Sequence, residues 1–120
     1  VITFLRIDHV QICIPKGKEK EAAQFCREII GLEEIPKPEE LLANGGLWFQ
    51  LADIQLHIGT ENQINHSKRH PEFEVSNLSA AQEYLEKHGV RIKKETQIPA
   101  QMRFSFIDPF DNRIELLQKI

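Results

Sequence analysis

Apolar and polar residues alternate with a period of two through several short stretches of this chain. HVQICIP (9–15), GLWFQL (46–51), IQLHI (54–58), HPEFEVS (70–76), MRFSFI (102–107) and NRIELL (112–117) each read as a strand with two unlike faces. In the first, Val10, Ile12 and Ile14 oppose His9, Gln11 and Cys13. In IQLHI, Ile54, Leu56 and Ile58 oppose Gln55 and His57; in HPEFEVS, Pro71, Phe73 and Val75 oppose His70, Glu72 and Glu74. NRIELL sets Ile114 and Leu116 against Arg113, Glu115 and Leu117. EEIP (33–36) and RIKKE (91–95) are shorter strand candidates. Asp in ADIQ and the Asp-Pro and Asp-Asn pairs of IDPFDNR mark tight turns.

Two segments instead follow helical spacing. AAQFCREIIGL (22–32) and AAQEYLEKHGV (80–90) both open Ala-Ala-Gln and close on Gly plus an aliphatic residue. The expected apolar stripes are Ala22, Phe25 and Ile29 in one, and Ala81, Tyr84, Leu85 and His88 in the other. Residue 22 against 80 is a shift of 58, and IQL (54–56) against IEL (114–116) is a shift of 60. Nearly constant shifts over several elements define a duplicated β-α-β-β-β unit. The expected class is α+β: one domain over residues 1–120, built from a module of about 5–60 and a second of about 67–120.

The repeat pairs His9 with His70, and Gln55 with Glu115. If each module lays its first and last strands side by side, these four converge on polar faces. Two imidazoles, a carboxylate and an amide oxygen suit an open site for a divalent metal. The plainer alternative leaves Glu115 pointing into water. His57 is read either as a substitute ligand or as a packed strand histidine; His66 and His88 read as loop and helix-end residues.

Composition narrows the function classes. The 120 residues are 41% hydrophobic, enough for a core without disulfide staples. The net charge of −3 and the mixed signs of GKEKE and LEKHGVRIKKE leave no basic footprint for nucleic acid. No run is long enough to span a membrane. The chain opens on Val1 with no charged–apolar–small-residue leader, so the expectation is a trimmed N-terminus and a cytoplasmic location. Cys13 and Cys26 form no CxxC motif and are read as packing residues.

With IDHVQICIP near the start, RHPEFEVSNL in the middle and FIDPFDNRIELLQ at the end, the chain resembles the vicinal oxygen chelate superfamily. That group includes glyoxalase I, methylmalonyl-CoA epimerase, fosfomycin-resistance thiol transferases, extradiol dioxygenases and bleomycin-resistance proteins. The resemblance implies modules that each curl into half of a cup-shaped barrel with helices outside, and a homodimer. It places the metal ligands on His9, Gln55, His70 and Glu115. It further implies a small oxygenated substrate chelating a divalent ion (Ni, Zn, Mn, Co or Fe) and a lyase or isomerase. Glu115 or Glu72 would move the proton, with Glu74 sharing their face; Arg103 would hold an anionic group. Glyoxalase I carries a second carboxylate where this chain has Gln55. His9, His70 and Glu115 alone also resemble the triad of ring-cleaving dioxygenases. The competing reading is a metal-free binding protein of the bleomycin-resistance kind, with Trp48, Phe49, Phe104 and Phe106 as a stacking surface.

Overall fold

A computed structural model describes residues 1–62 and 67–120, so His66 lies outside the described residues. The architecture is α+β, with two four-stranded mixed sheets. They belong to two compact units, Val1–Ile64 and Asn65–Ile120.

The first unit holds β1 (His9–Pro15), α1 (Glu19–Gln24), β2 (Glu33–Ile35), β3 (Leu47–Leu51) and β4 (Ile54–Glu61). Its sheet order is β1-β4-β3-β2. β1 runs parallel to β4, with His9 opposite Gln55 and Gln11 opposite His57. The helix is not α-helical to its end: Phe25–Ile30 widens into a π-helical turn in which the Gly31 N–H reaches the Cys26 carbonyl. Gly31 closes it at φ 84°, the left-handed conformation expected of a glycine there. A 3-10 turn, Glu39–Asn44, leads towards β3 and leaves Leu42 exposed. At Gly46 a Cβ would stand 2.1 Å from the Ile58 carbonyl oxygen, so no larger residue fits the entry to β3. Among the described residues of this unit, the buried apolar side chains are Ile14, Ala22, Ala23, Cys26, Phe49, Leu56 and Ile58.

The second unit holds β5 (Glu72–Glu74), α2 (Leu78–Lys87), β6 (Arg91–Lys94), β7 (Gln101–Ile107) and β8 (Arg113–Lys119). Its order, β5-β8-β7-β6, repeats the first with β5 parallel to β8. α2 starts two residues before the repeated Ala-Ala-Gln. The Asn77 side chain accepts from the Ala80 N–H, and the Leu78 N–H donates to Gln118 on β8. α2 packs against β6 and β8 through Leu78 and Leu85. Tyr84 and His88 do not join that stripe as expected; they are exposed and pack against each other, ring centres 4.2 Å apart. Asp108 shapes the β7–β8 turn by accepting from the backbone N–H groups of Phe110 and Asn112.

β5 is shorter than HPEFEVS predicts. Pro71 has no N–H to give a ladder, and regular pairing begins only at Glu72.

The β3–β4 hairpin carries local strain. Ala52 heads its two-residue loop at φ 51°, a conformation that costs a residue with a Cβ about 1–2 kcal/mol. Ala52→Gly is therefore expected to raise stability by about 0.5–1 kcal/mol after the extra freedom of glycine in the unfolded chain is subtracted. The urea midpoint should rise at unchanged slope.

Candidate functional site

In the first unit the polar sheet face is organised around a stack of rings. His57, 5% exposed, lies between His9 and Trp48, with ring centres 3.8 and 4.0 Å away and planes nearly parallel. Burial, then the neighbouring His9 charge, pushes His57 below its usual range, so it stays neutral. Its Nε2–H donates to Gln55 Oε1 at 2.9 Å and orients that amide. His57 is thus the packed histidine of the two alternatives. His9 is the more exposed end of the stack, and its Nδ1–H donates to Asp8 Oδ2 at 2.9 Å. That bond holds the Asp8 carboxyl below its ordinary range and commits His9 through Nδ1, leaving Nε2 as the nitrogen with a lone pair. Cys13 shares this face, but burial and the nearby Glu61 push its thiol up, away from a reactive thiolate.

In the second unit the polar face is charged. Glu115 is only 2% exposed, which removes the reading of a carboxylate in water. Arg103 Nη1 donates to Glu115 Oε1 at 2.7 Å. The other oxygen, Oε2, stands 3.4 Å from His70 Nε2. The His70 Nδ1–H donates to the Lys68 carbonyl at 2.8 Å, so this imidazole, like His9, has one nitrogen held by an oxygen acceptor. Glu72 lies directly opposite Glu115 across the parallel ladder. Partial desolvation at the sheet, then the hydrogen bond and charge of Glu115, raise the Glu72 carboxyl above its usual range although the residue is exposed overall.

The register departs from the expected pairing of positions. Gln55 donates its N–H to Asp8 O, and Glu115 donates its N–H to Pro71 O. By backbone position Glu72, not His70, corresponds to His9; His70 precedes it by two residues on the same face.

Trp48 lies on the polar face beside His57. Phe104 does not share a face with Arg103: it is 4% exposed and opposes Leu116, on the side of the sheet away from Glu115. Phe106 and Phe49 are buried in the same manner, opposite Ile114 and Leu56. These three are core residues, as strict period-two alternation requires.

The donors fit a metal in part. Ligand atoms about 2.0–2.2 Å from an ion stand roughly 3.0–3.5 Å from each other, and the His70 Nε2–Glu115 Oε2 spacing of 3.4 Å falls in that range. His9 offers a free lone pair, and Gln55 Oε1 already accepts one bond while retaining a second lone pair. Among the described residues, no group of three or more His, Cys, Asp or Glu side chains stands ready to hold an ion.

A second buried network extends the charged face towards β6. Ser105, with no exposed surface, donates to Glu95 Oε2, which also receives Arg113 Nε at 2.9 Å and Nη2 at 2.7 Å. The sequence reading did not single out Asp8, Glu95, Ser105 or Arg113. The only available signal for Asp8 was its place beside His9 in IDHVQI.

The Glyoxalase/Bleomycin resistance protein/Dioxygenase superfamily model matches residues 6–116, and the chain belongs to that superfamily. A protein from Bacillus anthracis assigned to the glyoxalase family is 42% identical, over 100% of this chain and 99% of that one, with a TM-score of 0.92. The fosfomycin resistance protein FosX from Listeria monocytogenes shares the fold at 15% identity and a TM-score of 0.77, covering 98% of this chain and 96% of its own. Lactoylglutathione lyase from Agrobacterium tumefaciens does so at 14% and 0.75, over 94% and 92%. No curated protein matches the chain. Among the described residues no helix is long and apolar enough to cross a membrane.

Glu95 provides a pH test of the charged face. Burial pushes its carboxyl up, but the hydrogen bonds from Ser105 and Arg113 and the charges of Arg113 and Lys93 outweigh that and hold it below the usual range. A depressed carboxylate contributes stability above its unfolded pKa of about 4.3 and loses it as pH falls through the folded value. Glu95→Gln should cost about 1–3 kcal/mol at pH 7. That difference should begin to shrink as pH falls below the unfolded pKa of about 4.3, and continue to shrink through the lower folded value, in denaturant melts across pH.

Proposed function

We propose that this protein is a metal-dependent lyase or isomerase of the glyoxalase kind, acting on a small oxygenated substrate. The metal ligands are His9 and Gln55 from the first unit with His70 and Glu115 from the second, supplied by one chain or by the two chains of a homodimer. One observation carries this reading. Both imidazoles are fixed through Nδ1 by an oxygen acceptor, and the Nε2 of His70 stands at ligand-to-ligand spacing from Glu115. The superfamily membership and the fold shared with a lactoylglutathione lyase support it.

A bound divalent ion would stabilise the negative charge that develops on two neighbouring substrate oxygens, worth several kcal/mol. The chain's own residues supply the rest. Glu72, exposed at the edge strand and opposite Glu115, takes the proton from substrate carbon and returns it to the adjacent atom, so no co-reactant is consumed. Trp48 forms an apolar wall beside the site, held in place by the His57 stack. The working location is the cytoplasm.

A second reading, a metal-free small-molecule binder, draws on the Arg103–Glu115 pair, which balances the buried carboxylate without any added cation.

Metal analysis of protein purified without chelators separates the two. The enzyme reading expects a near-stoichiometric first-row ion. It expects that ion to be lost in His9→Ala and His70→Ala, and held about tenfold more weakly in Asp8→Asn. Metal-free wild type, with both histidine variants indistinguishable from it in ligand protection, would overturn the metal reading and leave the binder.

A further inference from the structure

Arg103 is the one guanidinium hydrogen-bonded to Glu115 among the described residues, and its placement does not depend on that carboxylate alone. Its Nε–H donates to the Thr96 carbonyl at 2.9 Å, and its own carbonyl accepts from the Gln97 side chain at 3.0 Å. The side chain is 20% exposed, so it is a fixed part of the face and not a mobile surface arginine. It holds Glu115 Oε1, while the oxygen left over, Oε2, is the one facing His70 Nε2.

We infer that Arg103 is a positioning residue that restricts Glu115 to one-oxygen ligation and weakens the site's hold on its cation. The inference rests on the metal reading above and extends it from which residues bind to how strongly, and in what geometry. A carboxylate can ligate through one oxygen or both. Arg103 occupies one lone pair of Oε1 and draws that oxygen towards itself, while Oε2 is the oxygen presented beside His70. The guanidinium also cancels most of the negative charge that Glu115 would otherwise offer. Two of the five N–H groups of Arg103 are committed, one to Thr96 and one to Glu115, and that pair of bonds is what positions the carboxylate.

Cobalt(II) is the probe, titrated into metal-stripped full-length protein and followed by its visible ligand-field absorption. A competing chromogenic chelator gives the affinity. Arg103→Met should bind Co(II) about tenfold more tightly than wild type. Its absorption should be weaker and shifted to shorter wavelength, as a second carboxylate oxygen joins the ion. The gain should vanish when Glu115→Gln is combined with it. If Arg103→Met fails to fold, Arg103→Lys carries the same comparison, because a single ammonium lacks the planar fork with which Arg103 holds the Thr96 carbonyl and Glu115 Oε1 at once. A spectrum unchanged from wild type, or weaker Co(II) binding, in whichever variant folds would overturn the inference and leave the metal reading standing. Wild type that binds no Co(II) would overturn both.

Discussion

The parallel ladder between the first and last strands of each unit is the constraint on which the site depends. Parallel neighbours cannot be joined by a tight turn, so each unit must send its chain through a helix and two intervening strands before closing the pair. That detour brings His9 opposite Gln55 and Glu72 opposite Glu115, residues more than forty positions apart in sequence. Because opposed residues in a ladder share a face, a register slip of one would send every polar donor into the apolar core. The packing of Phe49 against Leu56, and of Phe104 and Phe106 against Leu116 and Ile114, therefore fixes which side chains reach the polar face.

The two units solve the cost of that polar face differently. In the first, the groups that must be buried are neutral. His57 is kept uncharged by burial, fills the space between two flat rings, and uses its one N–H on Gln55. The second buries charge: Arg103 answers Glu115 and Arg113 answers Glu95, while Asp108 is held by the backbone N–H groups of Phe110 and Asn112 and by the Asn112 amide. Buried ion pairs seldom add net stability over an apolar replacement, but removing one partner is severe because the other is stranded. The face is consequently rigid in composition. Any ligand that approaches Glu115 meets a carboxylate already half committed.

Much of this was legible in the chain. The alternation placed β1 at its observed bounds, and the matched Ala-Ala-Gln…Gly segments revealed the duplication. Glycine after each helix marked the left-handed closures at Gly31 and Gly89. The parity of IQLHI and NRIELL put Gln55 and Glu115 on the polar face. The missing parts are those that periodicity does not encode. Parity cannot tell a half-exposed face from a buried one, so the depth of Glu115 and its bond to Arg103, twelve residues upstream, were invisible. The same limit made Phe104 a candidate wall residue, although its own parity sets it with Leu116. Tyr84 and His88 fit a helical stripe by count but pair with each other at the surface, leaving Leu85 to do the burying.

The imperfect repeat carries the last step. Sequence matching sets His70 against His9, whereas backbone bonding sets Glu72 there, and Pro71 stands between the two frames. A proline at that place removes the donor that would have extended β5 back to His70, so the imidazole turns to the Lys68 carbonyl instead of sitting within the ladder. The ladder position thus freed is filled by a second carboxylate directly beside Glu115. One module therefore presents an imidazole and an amide, and the other an imidazole and a carboxylate with a further carboxylate at its edge. Had the copies stayed identical, each ladder would oppose an imidazole to an amide or a carboxylate, with no second carboxylate beside Glu115. In the proposed reading, the two-residue displacement separates the imidazole that would hold a cation from the carboxylate that would do acid–base work.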